Sequence, residues 1–248
     1  MMKLSLTDLT ALKQQHQKIT MITAYDAPTA RFADAAGIDA ILVGDSAAMT
    51  VFGYDQTTAI TLEDMLLLAR AARRGTSRAL LIADMPFGSV QVSEPATVAN
   101  AIRFVKEAGV DAVKIEGAGP MVRRIAAVID SGIPVVAHIG LTPQSVNQLG
   151  GYKPQGRTAV AAQRLLDDAG TLERAGCVAI VLEAIPQPVA ATITKALTIP
   201  TVGIGAGVEC DGQVLVWHDV LGLNAAGFKA KGKGGFKKGI GDLAPPTS

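Results

Sequence analysis

Eight short aliphatic runs recur along the chain, at residues 19–24, 40–43, 79–83, 112–115, 134–137, 178–182, 200–204 and 214–217. Most carry no polar alternation, the pattern of strands in a parallel sheet covered on both faces; antiparallel sandwich strands would alternate. Amphipathic segments of helical period lie between them, at 28–36, 62–73, 95–108, 121–131, 159–175 and 188–197. Several are followed by glycine where a left-handed cap is wanted, namely Gly37, Gly75, Gly109, Gly132 and Gly176, and several open near Ser, Thr or Pro. The repeated unit of helix, glycine and apolar run is the αβ turn of a barrel or a doubly wound sheet. No glycine cradle follows the first run, which ends Thr23-Ala-Tyr-Asp26, so a nucleotide-binding doubly wound sheet is disfavoured. The expectation is an α/β fold, one (β/α)8 barrel over residues 1–224, a size that 248 residues accommodate.

A hydrophobic fraction of 49% without a run long enough to span a bilayer points to a soluble protein. Residues 1–17 read as an N-terminal amphipathic helix carrying Leu4, Leu6, Leu9 and Leu12 rather than a cleaved leader, so a cytoplasmic location is expected. A net charge of +1 gives no pull toward nucleic acid or an anionic membrane. Cys177 and Cys210 lack metal-ligand spacing and are expected as buried free thiols. Residues 225–248 form a Gly/Lys-rich tail with too little apolar area to offset its ordering entropy, and are expected to be mobile.

Barrel chemistry sits at the C-terminal ends of the strands. Asp45, Asp84, Glu116 and Glu183 all fall there, with Lys114 and His138 at equivalent positions. Any one carboxylate can be read as the N-cap of the next helix, but four brought into one mouth would repel strongly unless a cation intervened. Oxygen ligands favour Mg²⁺, or Mn²⁺, over zinc. Such a site suits a 2-oxo acid, whose carbonyl a metal polarises toward an enolate. Lys114 is either the same-face partner of Glu116, two residues on, or a fixed positive charge for substrate. His138 is either a donor to substrate or a satisfied core histidine. Glu183 is either a base, its pKa raised in an apolar mouth, or another metal ligand.

All of these residues but Glu183 lie in segments that, with their neighbours, resemble the ketopantoate hydroxymethyltransferase family: Thr23-Ala-Tyr-Asp26, Val43-Gly-Asp-Ser46, Ala83-Asp-Met-Pro-Phe87, Val113-Lys-Ile-Glu-Gly117, His138-Ile-Gly-Leu-Thr-Pro-Gln-Ser-Val-Asn147, Gly150-Gly-Tyr-Lys-Pro-Gln-Gly156, Gly203-Ile-Gly-Ala-Gly207 and Asp211-Gly-Gln213. The resemblance covers about residues 19–223. It implies a barrel of the phosphoenolpyruvate/pyruvate type, Mg²⁺, and transfer of a one-carbon unit from 5,10-methylenetetrahydrofolate to 3-methyl-2-oxobutanoate, giving 2-dehydropantoate for pantothenate biosynthesis. By the same resemblance Asp45, Asp84 and Glu116 form the metal set, Glu116 through water. Asp45, Ser46, Asp84 and Lys114 would meet the substrate, and Glu183 would be the proton acceptor; His138 is added to the substrate contacts on its strand-end position alone. A homo-oligomer, decameric in the family, is implied as well. The chain departs from the family pattern after about Leu223, where members continue into a helical region. Two rivals are a Mg²⁺-dependent carbon-carbon lyase of the isocitrate lyase/phosphoenolpyruvate mutase superfamily and an inactive barrel. Lyases of that kind carry a catalytic cysteine in a Lys-Lys-Cys-Gly-His loop, which neither cysteine here has.

Overall fold

The computed structural model describes residues 2–223; the tail at 225–248 lies outside them. In chain order the elements are α1 Leu6–Gln14, β1 Ile19–Thr23, α2 Ala27–Ala35, β2 Ala40–Val43, α3 Ala47–Thr50, α4 Leu62–Gly75, β3 Leu80–Asp84, α5 Glu94–Ala108, β4 Ala112–Glu116, α6 Met121–Asp130, β5 Val135–Gly140, α7 Val146–Leu149, α8 Ala159–Arg174, β6 Ala179–Glu183, α9 Gln187–Ala196, β7 Thr201–Ile204, β8 Gly212–Leu215 and α10 Trp217–Val220. The strands form a closed barrel in sequence order, every pairing parallel and β8 returning to β1.

Alternation along each strand divides the core into two layers. Ile19, Met21, Ala40, Leu42, Leu80, Ile82, Ala112, Val136, Ala179, Val181, Val202 and Val214 fill the lumen. Their neighbours Ile41, Val43, Leu81, Ala83, Val113, Ile115, Ala137, Ile180 and Leu182 pack outward against the helices. Both faces are therefore apolar, which is why the runs showed no alternation.

The N-terminal helix closes one end of the lumen. Leu9 is buried in the lumen cluster, with Leu4, Leu6 and Leu12 packed beside it. Lys3 donates to Ala79 O (2.7 Å) and Asp111 Oδ2 (2.6 Å), and Lys13 to Thr194 O, Ile199 O and Asp211 Oδ2 at 2.9–3.0 Å. Those acceptors lie before β3, β4, β7 and β8, so α1 seals the N-terminal ends of the strands and leaves the C-terminal ends open.

Two expectations need correction. The last strand begins at Gly212, two residues early, and stops at Leu215, because Asp211 accepts from Thr201 N (2.8 Å) and its carbonyl from Ile19 N (2.9 Å), anchoring the strand start. Polar Gly212-Gln213 concealed this. Gly75 is not a left-handed cap like Gly37, Gly109, Gly132 and Gly176. It ends α4 where that helix meets α2, and a Cβ there would stand 2.2 Å from the Ala27 carbonyl oxygen. Gly75→Ala is expected to destabilise the fold by about 1–3 kcal/mol, the usual range for overpacking, read as a lower urea midpoint. An unchanged midpoint would show that the two helices can separate freely.

Among the described residues no helix is long and apolar enough to cross a membrane.

Candidate active site

The same alternation that fills the lumen places polar groups at its open end. Asp84 is two residues beyond lumen-facing Ile82, Lys114 two beyond Ala112, Glu116 two beyond that, His138 two beyond Val136, and Glu183 two beyond Val181. Parallel register then sets them side by side: Asp84 opposite Lys114, Glu116 opposite His138, and Glu183 opposite Gly140. Gly140 (φ 97°) is the one residue that fits there, since a Cβ would lie 2.2 Å from the Glu183 carbonyl oxygen.

The side chains form one connected cluster. Lys114 Nζ is 2.6 Å from Asp84 Oδ1 and 3.8 Å from Glu116 Oε1. Its main partner is thus the residue across the ladder, not the same-strand Glu116 that the i, i+2 spacing suggested. Asp84 Oδ2 accepts from the Asp45 backbone N–H at 3.0 Å. His138 lies between two carboxylates, Nδ1 3.2 Å from Glu116 Oε1 and Nε2 3.2 Å from Glu183 Oε2. The second contact is an ion-pair distance without hydrogen-bond alignment. Glu116 Oε2 also accepts from Gln144 N, and Asp45 Oδ2 from Gln144 Nε2. Asp45, Asp84, Lys114, Glu116 and His138 are all buried; the Glu183 side chain, 18% exposed, stands at the rim beside that ion pair.

None of the four carboxylates caps a helix. The residues at those N-caps are Ser46, Ser93, Pro120 and Pro186. Asp26, another strand-end aspartate, does cap its helix, accepting from Thr29 N at 2.7 Å. Ser46 makes no side-chain cap; its hydroxyl is hydrogen-bonded to buried Tyr25 at 2.9 Å, which orients it. Tyr25 and Gln144 are the mouth residues that sequence reasoning did not single out. Neither carries charge; the signals that point to them are position in a loop directly after a barrel strand and membership of the segments Thr23–Asp26 and His138–Asn147.

Burial, followed by repulsion from Asp84 and Glu116, pushes the Asp45 carboxyl well above the ordinary carboxylate range, with Lys114 and Gln144 pulling the other way. Burial also opposes the charge on Lys114, but Asp84, Glu116 and Asp45 outweigh it and raise its pKa. Burial and Lys114 disfavour a charged His138; Glu116 and Glu183 overcome both and lift it to about 9. Burial acts against Glu116 as well, yet His138 and Lys114 hold it below the usual value.

Four carboxylates gather here against Lys114 and His138, so acidic groups outnumber basic ones, and a divalent cation would relieve the crowding that pushes Asp45 up. Asp45 and Asp84 are adjacent and supply hard oxygen donors, so the residues fit such an ion. Glu116 is turned toward His138, Lys114 and Gln144, and as they stand no group of three or more His, Cys, Asp or Glu among the described residues is arranged to hold a metal. The cysteines take no part. Cys177 and Cys210 are buried in the helix–strand layer, and burial pushes the Cys177 thiol up to about 12.

A closed parallel barrel with carboxylates, an ammonium and an imidazole gathered at its C-terminal mouth has the architecture of an α/β-barrel enzyme. Solved structures agree on the fold: phosphonopyruvate hydrolase in complex with oxalate and Mg++ superposes with a TM-score of 0.67 at 15% identity, covering 92% of this chain and 87% of that one. For 2,3-dimethylmalate lyase, itself a PEP mutase/isocitrate lyase superfamily member, the values are 0.65, 20%, 91% and 84%. The sequence model of ketopantoate hydroxymethyltransferase matches residues 3–242, a span that runs past Leu223 into the tail. Relatives named 3-methyl-2-oxobutanoate hydroxymethyltransferase are 54% identical over 221 residues in Carboxydothermus hydrogenoformans (89% of this chain, 80% of that protein) and 53% over 222 residues in Thermobifida fusca (90% and 79%). The chain belongs to the ketopantoate hydroxymethyltransferase family, and it is a hydroxymethyl-transferring enzyme.

Proposed function

We propose that this enzyme moves a one-carbon unit from 5,10-methylenetetrahydrofolate to C3 of 3-methyl-2-oxobutanoate with the help of Mg²⁺, as a step of pantothenate biosynthesis. The observation that supports it is the convergence of Asp45, Asp84, Lys114, Glu116 and His138 beneath the partly exposed Glu183. Asp45 and Asp84 would hold the ion directly and Glu116 through water. When bound, Mg²⁺ (or Mn²⁺) supplies Lewis acidity to the oxo group and eases loss of the neighbouring proton. A barrel of the same fold is known in complex with oxalate and Mg++.

The remaining work falls to the protein. Glu183, at the rim, takes the proton from C3, and the C–H electron pair becomes the enolate. Lys114 faces the developing negative charge with a fixed positive one. Tyr25 orients the Ser46 hydroxyl toward the substrate. C3 and water together replace the two folate nitrogens on the methylene carbon: both C–N bonds break, one C–C and one C–O bond form, and the protons released from C3 and from water end on the two nitrogens. His138 holds Glu183 and Glu116 in place from between them.

Deuterium exchange at C3, followed by NMR with and without tetrahydrofolate, separates enolisation from transfer. Exchange is expected to need Mg²⁺, to stop on chelation and to proceed without the folate. Asp84→Ala is expected to weaken Mg²⁺ binding at least about tenfold by calorimetry. Wild-type affinity in that variant would count against ligation.

A further inference from the structure

The ionisable groups of the mouth are joined by a neutral one. Gln144 is buried in the turn Pro143–Ser145 between β5 and α7. Its backbone N–H donates to Glu116 Oε2 at 3.0 Å. Its side-chain nitrogen donates to Asp45 Oδ2 at 2.9 Å and to the Met85 carbonyl at 3.0 Å. One residue thereby ties the loop after β2 and the ends of β3 and β4 to the loop after β5. The amide's orientation is fixed by chemistry, because both partners are acceptors and only the NH₂ end can satisfy them. The turn that aims it is closed by Ser145 N donating to Thr142 O at 2.9 Å.

A cationic side chain here would hold Asp45 equally well but would cancel the negative charge on which a metal depends. The amide fixes a carboxylate oxygen without neutralising it. From this geometry we infer that Gln144 is a positioning residue that presets Asp45 and Glu116 for the divalent cation. The inference rests on the metal reading above. Substitution of the side chain leaves the backbone bond to Glu116 intact and removes only the grip on Asp45 and Met85.

Gln144→Leu, Gln144→Asn and Gln144→Glu would be titrated with Mn²⁺, free ion being followed by electron paramagnetic resonance, and C3 exchange measured against Mn²⁺ concentration. In Gln144→Leu, Mn²⁺ affinity is expected to fall about 10–100-fold, the usual effect of losing a group that orients a ligand. Its exchange rate should return to within about threefold of wild type once Mn²⁺ is saturating, since ligand placement and not chemistry is lost. Gln144→Glu should bind less well at neutral pH, because it sets carboxylate oxygens against two acceptors. Gln144→Asn keeps the amide but shortens its reach, and shows the same loss should the leucine variant not fold. Wild-type Mn²⁺ affinity in a folded Leu or Asn variant would overturn the inference, as would exchange that stays slow at saturating Mn²⁺. A wild-type protein that binds no Mn²⁺ would instead bring down the metal reading itself, and this inference with it.

Discussion

Glu183→Gln is expected to slow C3 deuterium exchange by about 10²–10⁴-fold, the range that a positioned base contributes, while binding 3-methyl-2-oxobutanoate nearly as well as wild type. Four carboxylates meet in the mouth, but they are not equivalent. Asp84 and Glu116 side chains are 4% exposed and tied up by Lys114, His138 and Gln144, whereas Glu183 is 18% exposed and has His138 as its ion-pair partner. A base must reach a substrate atom, and Glu183 alone of the four has an open side. The amide preserves its size and place on β6 but cannot take a proton. Substrate affinity should persist because the groups that would meet the oxo acid, Asp45, Asp84 and Lys114, are untouched. Unchanged exchange would remove Glu183 from the role. A fall in Mg²⁺ affinity in its place would identify it as a ligand, the other reading its sequence position allowed.

The barrel was legible because parallel strands bury both faces, so each announces itself as an uninterrupted aliphatic run. The chemical residues were legible for a related reason: a charged residue at the end of such a run stands at the mouth, and strand parity decides whether it faces the lumen. Parity alone cannot separate Asp26 from Asp45, two strand-end aspartates with different fates. Asp26 is followed by a helix it caps; Asp45 is followed by Ser46, which takes the N-cap position itself. Cross-strand register was hidden as well. Lys114 reads along its own strand as the partner of Glu116, and only the barrel's stagger shows that it belongs to Asp84. Gln144 and Tyr25 escaped because a neutral donor leaves no mark in charge or periodicity. Its value arises only from the acceptors that the fold brings to it.

Lys114→Met is expected to cost about 3–5 kcal/mol of folding stability, the effect of removing one partner from a buried ion pair. The ammonium is buried 2.6 Å from Asp84 and 3.8 Å from Glu116, and methionine matches its length without its charge. Burial disfavours a charged lysine here, but the three surrounding carboxylates outweigh that effect, so the charge is held because they need it. Without it, Asp84 is left buried and negative, and His138 becomes the one cationic side chain for Asp45, Asp84 and Glu116. Denaturant unfolding without metal should show the full loss. Adding Mg²⁺ should recover part of it, because an ion that binds only the folded state stabilises in proportion to the logarithm of its concentration over Kd. Lys114→Met combined with Asp84→Asn should be more stable than Lys114→Met alone, since the second change removes the stranded charge. A single variant within about 1 kcal/mol of wild type would mean that the mouth carries far less unbalanced charge than its geometry implies, and the case for a divalent cation would weaken with it.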